Sequence, residues 1–87
     1  MVDYDLKAPG KDYTSLINAI QQFHCLHTLR SSWLVKAAVT AEELRNYLFA
    51  HMDSNDGIIV ADVTGRALAW QGLGEGATEW IQANIKG

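Results

Sequence analysis

Hydrophobic and polar positions alternate from the start of the chain. Val2, Tyr4 and Leu6 fall on one side of an extended segment and Asp3 and Asp5 on the other, the period-two signature of a strand with one buried face. Ala8-Pro9-Gly10 then reads as a turn, with Pro9 fixing φ and Gly10 free to take positive φ. Asp12 is placed to cap a helix whose stripe is Tyr13, Leu16, Ile17, Ile20 and Phe23. From Leu26 to Ala37 the period returns to two. Leu29, Trp33, Val35 and Ala37 share one face; Thr28, Arg30, Ser32 and Lys36 share the other. Twelve residues exceed the usual strand, so a break near Ser31-Ser32 is expected, although neither Gly nor Pro marks it.

Thr40 and Glu43 form the S/T-x-x-E capping box of a second helix, with Leu44, Tyr47, Leu48 and Met52 inward. The turn cluster DSNDG, residues 53–57, ends it. GIIVADV is almost wholly apolar and reads as a central strand covered on both sides. Thr64-Gly65 leads into a short strand over 66–70, and Ala77, Trp80, Ile81 and Ile85 suggest a final helix. Trp33 belongs to the core by periodicity.

This order describes one α+β domain over residues 1–87. It is the ferredoxin-like βαββαβ arrangement with a short extra strand and a C-terminal helix. In that topology the first strand lies beside GIIVADV, and both main helices cover one sheet face. Whichever parity of GIIVADV points outward still carries Ile58 and Val60 or Ile59 and Val63. An apolar sheet face of that kind marks an interface. A homodimer through the open face is the simplest cover, with Ile58 and Val60 as its candidate residues. Such pairing brings Asp5 of each copy together.

Composition narrows the function. Of 87 residues 48% are hydrophobic and 20% charged, with net charge −3, which argues against coating nucleic acid by bulk electrostatics. No apolar run reaches the ~20 residues of a membrane span, so no membrane partner is expected. The absence of a secretory leader and the single Cys25 fit a cytoplasmic protein. His24, Cys25 and His27 offer zinc-type ligands without the second pair a structural site needs.

The segments YDL, SSW and NDGIIVADVTG resemble a small family of ferredoxin-like proteins. It includes the second CRISPR-associated protein, which is the small dimeric spacer-acquisition subunit, the virulence-associated protein D toxins, and uncharacterised SinR-like small proteins. The resemblance implies a homodimer in which the aspartate of YD, here Asp5, pairs with its mate to hold a divalent metal for phosphodiester hydrolysis. Ser32-Trp33 matches the family's Ser-aromatic pair near the dimer cleft, and the resemblance implies that Trp70, on a last strand that extends the neighbour's sheet, is a further interface residue. Asp3 is an addition to the pattern, and it supplies a second carboxylate on the same face. The expected activity is a metal-dependent endoribonuclease using Mg²⁺, with Mn²⁺ as the alternative. RNA or DNA is the substrate, and Lys7, Lys11, Arg30 and Ser32 are its candidate contacts. The competing expectation is a non-catalytic dimeric scaffold that binds nucleic acid or a protein partner. Asp62 joins the carboxylates only if its side of the strand faces outward.

Overall fold

The computed structural model describes residues 1–7 and 13–86. Six elements appear in the expected order: β1 (Val2–Asp5), α1 (Thr14–Ile20), β2 (His24–Leu29), β3 (Ser32–Lys36), α2 (Ala41–Phe49) and β4 (Gly57–Val60). The chain ends in α3 (Ala77–Ile81), which a π-helical turn, Gln82–Lys86, continues. The strands form one antiparallel sheet in the order β2-β3-β1-β4. That order is compatible with the ferredoxin-like arrangement, since β1 lies between the third and fourth strands. No helix among the described residues is long and apolar enough to cross a membrane.

The period-two reading of β1 holds. Val2 and Tyr4 are buried against Leu16, Ala19 and Ile20 of α1 and Leu44 and Leu48 of α2, together with Trp33 and Met52. Helix α2 begins as the sequence requires: Thr40 accepts the Glu43 N–H, and the Glu43 carboxylate accepts the Thr40 N–H, both at 3.0 Å. Helix α1 starts at Thr14 with Tyr13 in the cap position and no side-chain cap bond. The expected Pro9-Gly10 turn and the Asp12 cap lie outside the described residues.

Four expectations need correction. The break expected near Ser31-Ser32 is present as a hairpin turn at Arg30 and Ser31, but an irregularity in β2 between His27 and Leu29 overturns the shared face expected for Leu29 and Trp33. His27 pairs with Trp33 but Leu29 pairs with Ser32, so the extra residue turns Leu29 away from the Trp33 side. Leu29 is accordingly 61% exposed. Second, β4 is an edge strand four residues long rather than a central one. Third, its inward residues are Ile58 and Val60, which pack on the helix-side core. Ile59 points outward, 64% exposed. Fourth, residues 66–70 form no strand. They belong to an irregular connection in which Gly65, Gly72, Gly74 and Gly76 take positive φ, a backbone that cannot run straight along a sheet.

The sheet face opposite α1 and α2 is not wholly bare. Leu34, between the inward Trp33 and Val35, projects the other way and is buried with Ile81 and Ile85. Leu26, Leu68, Trp70, Leu73 and Trp80 pack around them. The chain's own C-terminal segment therefore covers the β2–β3 side of this face. Met1 and Val63 join the Leu34 cluster at the start of β1 and beyond β4, while among the described residues neither core cluster includes Asp3, Asp5 or Ile59.

Candidate metal and phosphate site at the end of β1

Asp3 and Asp5 share the outward side of β1, two residues apart. In the sheet register Asp3 stands between Ser32 of β3 and Ile59 of β4, and Asp5 opposite Gly57. The Asp3 carboxylate accepts the Ser32 hydroxyl at 3.1 Å and the Ser31 hydroxyl at 3.4 Å. The two serines thus fix Asp3, and Ser32 spends its hydroxyl there. Asp5 differs: its side chain is 76% exposed, and the Lys7 ammonium lies 3.8 Å from it. A pair that open to water contributes little stability, so Asp5 is a carboxylate available to a ligand.

The hairpin turn adds charge at the same end of the sheet. The Ser31 carbonyl accepts the Tyr4 N–H at 3.2 Å, which sets the turn with the exposed Arg30 at the Asp5 end of the sheet. Lys7 lies two residues beyond the end of β1 and is exposed. Asp3 is therefore joined to Ser32 and Asp5 to Lys7, with Arg30 exposed in the neighbouring turn. Lys11 lies outside the described residues.

Other candidates are placed elsewhere. Asp62 lies beyond the β4 residue that pairs with Val2, so it sits at the far end of β1 from Asp5. Its carboxylate accepts the Thr64 N–H at 3.0 Å, and that bond holds it below the usual carboxylate range. Ile58 and Val60 face the helices. Trp70 is half-buried in the C-terminal layer and donates from Nε1 to the Thr78 hydroxyl at 3.0 Å. In this chain it packs on its own sheet.

The histidines flanking Cys25 are used as flat rings. His24 stacks on Trp80 with ring centres 5.4 Å apart, and His27 on Trp33 at 4.0 Å. Strand alternation sends them to opposite faces. Burial pushes the Cys25 thiol above its ordinary value, which works against a thiolate nucleophile. Among the described residues no group of three or more His, Cys, Asp or Glu side chains is arranged to hold a metal. Mg²⁺ does not need such a group, since one or two carboxylates and several waters suffice. The exposed Asp5 carboxylate fits that donor set once a second carboxylate is brought to it.

One residue of this region escaped the sequence reading. Asp56 is buried, 7% exposed. Its Oδ1 accepts the Lys7 N–H at 2.7 Å, and its Oδ2 accepts the Asp53 N–H at 2.8 Å. The Tyr13 hydroxyl lies 3.0 and 2.8 Å from the two oxygens. DSNDG marks a turn, but composition does not say which carboxylate turns inward. The available signal was the spacing of Asp53 and Asp56, which lets the second carboxylate reach back to the first residue's amide. On the helix side, the Ser15 hydroxyl meets Nδ1 of His51, joining the start of α1 to the end of α2.

No family model, no curated protein and no solved structure matches this chain.

Proposed function

We propose that the protein is a metal-dependent endoribonuclease that works as a two-fold dimer, with Asp5 of each copy at a shared cleft. The observation that carries this reading is the state of Asp5. It is an open carboxylate at the end of an interior strand, on the sheet face that also carries the exposed Ile59. Ile59 supplies an apolar contact next to it.

Each side chain has a separate task. Asp5 from each copy would hold a divalent cation, Mg²⁺ or Mn²⁺. Bound there, such an ion supplies Lewis acidity and a water of lowered pKa. Asp3 remains a fixed negative group behind Asp5, because Ser31 and Ser32 hold it in place. Lys7 and Arg30 bind the phosphates on either side of the scissile bond. Two cations per copy grip a short single strand without the wide basic surface a duplex requires. A net charge of −3 is consistent with such local contact.

The test is cleavage of a single-stranded RNA with Mg²⁺ or Mn²⁺, with sedimentation of the same samples. Asp5→Ala is expected to abolish cleavage and leave the dimer intact. Cleavage by Asp5→Ala at the rate of the unmodified protein overturns the assignment. The second reading is a non-catalytic dimeric scaffold, which the net charge of −3 also accommodates. A dimer without turnover under either metal selects it.

A further inference from the structure

We infer that Asp56 is the positioning residue of this site: it clamps the connection between β1 and α1 so that Lys7 stays beside Asp5. The inference rests on the reading above in one respect, that Lys7 meets RNA phosphate.

Asp56 closes a short loop of structure around Asp5. Lys7 follows Asp5 by two residues, and its N–H is bound to Asp56. Gly57, the next residue along, pairs with Asp5 across the sheet. The exit of β1 is therefore tied back to the strand beside it. The Tyr13 hydroxyl, just before α1, engages both oxygens of the same carboxylate. Both ends of the β1–α1 connection thus converge on a single side chain, which the Asp53 N–H also steadies from its own turn.

The chemistry explains why the residue is an aspartate. Burying a carboxylate costs several kcal/mol unless hydrogen bonds compensate. Here donors approach both oxygens. Asparagine presents only one acceptor oxygen, and its NH₂ group would face the Lys7 or the Asp53 N–H. Asp56→Asn therefore loses a bond that the aspartate makes, with little change in size. Among the described residues Lys7 has no strand partner, and the Asp56 bond fixes where its side chain leaves the backbone.

Asp56 acts through Lys7, and a double-mutant cycle reads that directly. Binding of a short single-stranded RNA is measured against salt, in EDTA so that no cleavage intervenes. Lys7→Ala is expected to lower the salt slope by about 0.7, the value for one phosphate contact on a single strand. Asp56→Asn is expected to lower it to a similar extent, and the double variant no further than Lys7→Ala alone. An unchanged slope for Asp56→Asn, or losses that add, overturns the inference. Should the RNA not bind at all, the nuclease reading falls, and the positioning role is decided by hydrogen exchange. The Lys7 amide is expected to lose protection in Asp56→Asn while the Tyr4 amide keeps it; equal protection in both overturns the role. Where Asp56→Asn does not fold, Tyr13→Phe removes one donor from the same carboxylate. Faster exchange at Lys7 is again expected, and an unchanged rate counts against the clamp.

Discussion

Trp33 and Tyr4 meet inside the helix-side core, where Nε1 of Trp33 donates to the Tyr4 hydroxyl at 3.2 Å. Both residues are buried, so neither polar atom has water to turn to. Tyr4→Phe removes the acceptor and strands the indole N–H. The expected loss is about 1–3 kcal/mol, the cost of an unmet buried donor, read by urea denaturation. Trp33→Phe with Tyr4→Phe should cost less than the two single losses together, because the second change removes the stranded group. Period two alone located Tyr4 and Trp33 on the buried side, since strand alternation leaves only two choices. It did not locate Asp56 or choose between Ile58 and Ile59. In GIIV both parities are apolar, so the pattern carries no preference. Asp56 is one of several polar residues in a turn, and only the arrival of Lys7 and Tyr13 from elsewhere in the chain makes it the inward one.

Among the elements, α2 is the one whose start is written most fully in the sequence. Thr40→Ala removes the hydroxyl that receives the Glu43 N–H and is expected to cost about 1 kcal/mol, measured by thermal or urea unfolding. The reciprocal bond carries a pH signature. The Thr40 N–H holds the Glu43 carboxyl below its ordinary value. A carboxylate favoured in the folded state adds stability above its unfolded-state value, and that stability is lost as pH falls through the folded one. The difference between the unmodified protein and Glu43→Gln should therefore be largest near neutral pH and shrink below the ordinary glutamate range. A gap that persists in acid means the charge is not the cause. The order of β1 to α2 was legible because each element has its own period. The length of the alternating segment gave away the break near Ser31, but not the β2 bulge, which changes the face of Leu29 without Gly or Pro to mark it. The expected strand over 66–70 failed for the opposite reason: its local alternation was real, but glycines on both sides bend the backbone away from the sheet. A strand also needs a neighbour, which residue pattern alone cannot supply.

At the scale of the molecule, the sheet is covered twice, by α1 and α2 on one face and by part of the C-terminal segment on the other. Ile81 sits fully buried at the centre of that second layer with Leu34 and Ile85. Ile81→Ala is expected to lower stability by about 2–5 kcal/mol, and tryptophan emission should shift to the red as Trp70 and Trp80 lose their packing. The same layer restricts how two copies can meet. Had the whole outward face been bare, pairing could have used any part of it. With the β2–β3 side occupied, the proposed two-fold contact that brings the Asp5 carboxylates together would use the β1–β4 side, where Ile59 is the exposed apolar residue among the described ones. Ile59 touches neither core cluster, so Ile59→Lys leaves the fold of each copy alone. It places like charges opposite each other across the proposed two-fold axis, where burial would have to strip both of water. Sedimentation across a concentration series is expected to show a dimer for the unmodified protein and a folded monomer for Ile59→Lys. The monomer should also lose metal-dependent cleavage although Asp5 is untouched, because one copy brings only one Asp5 to the ion. A variant that remains dimeric and active would place the contact elsewhere and separate Asp5 from any shared cleft.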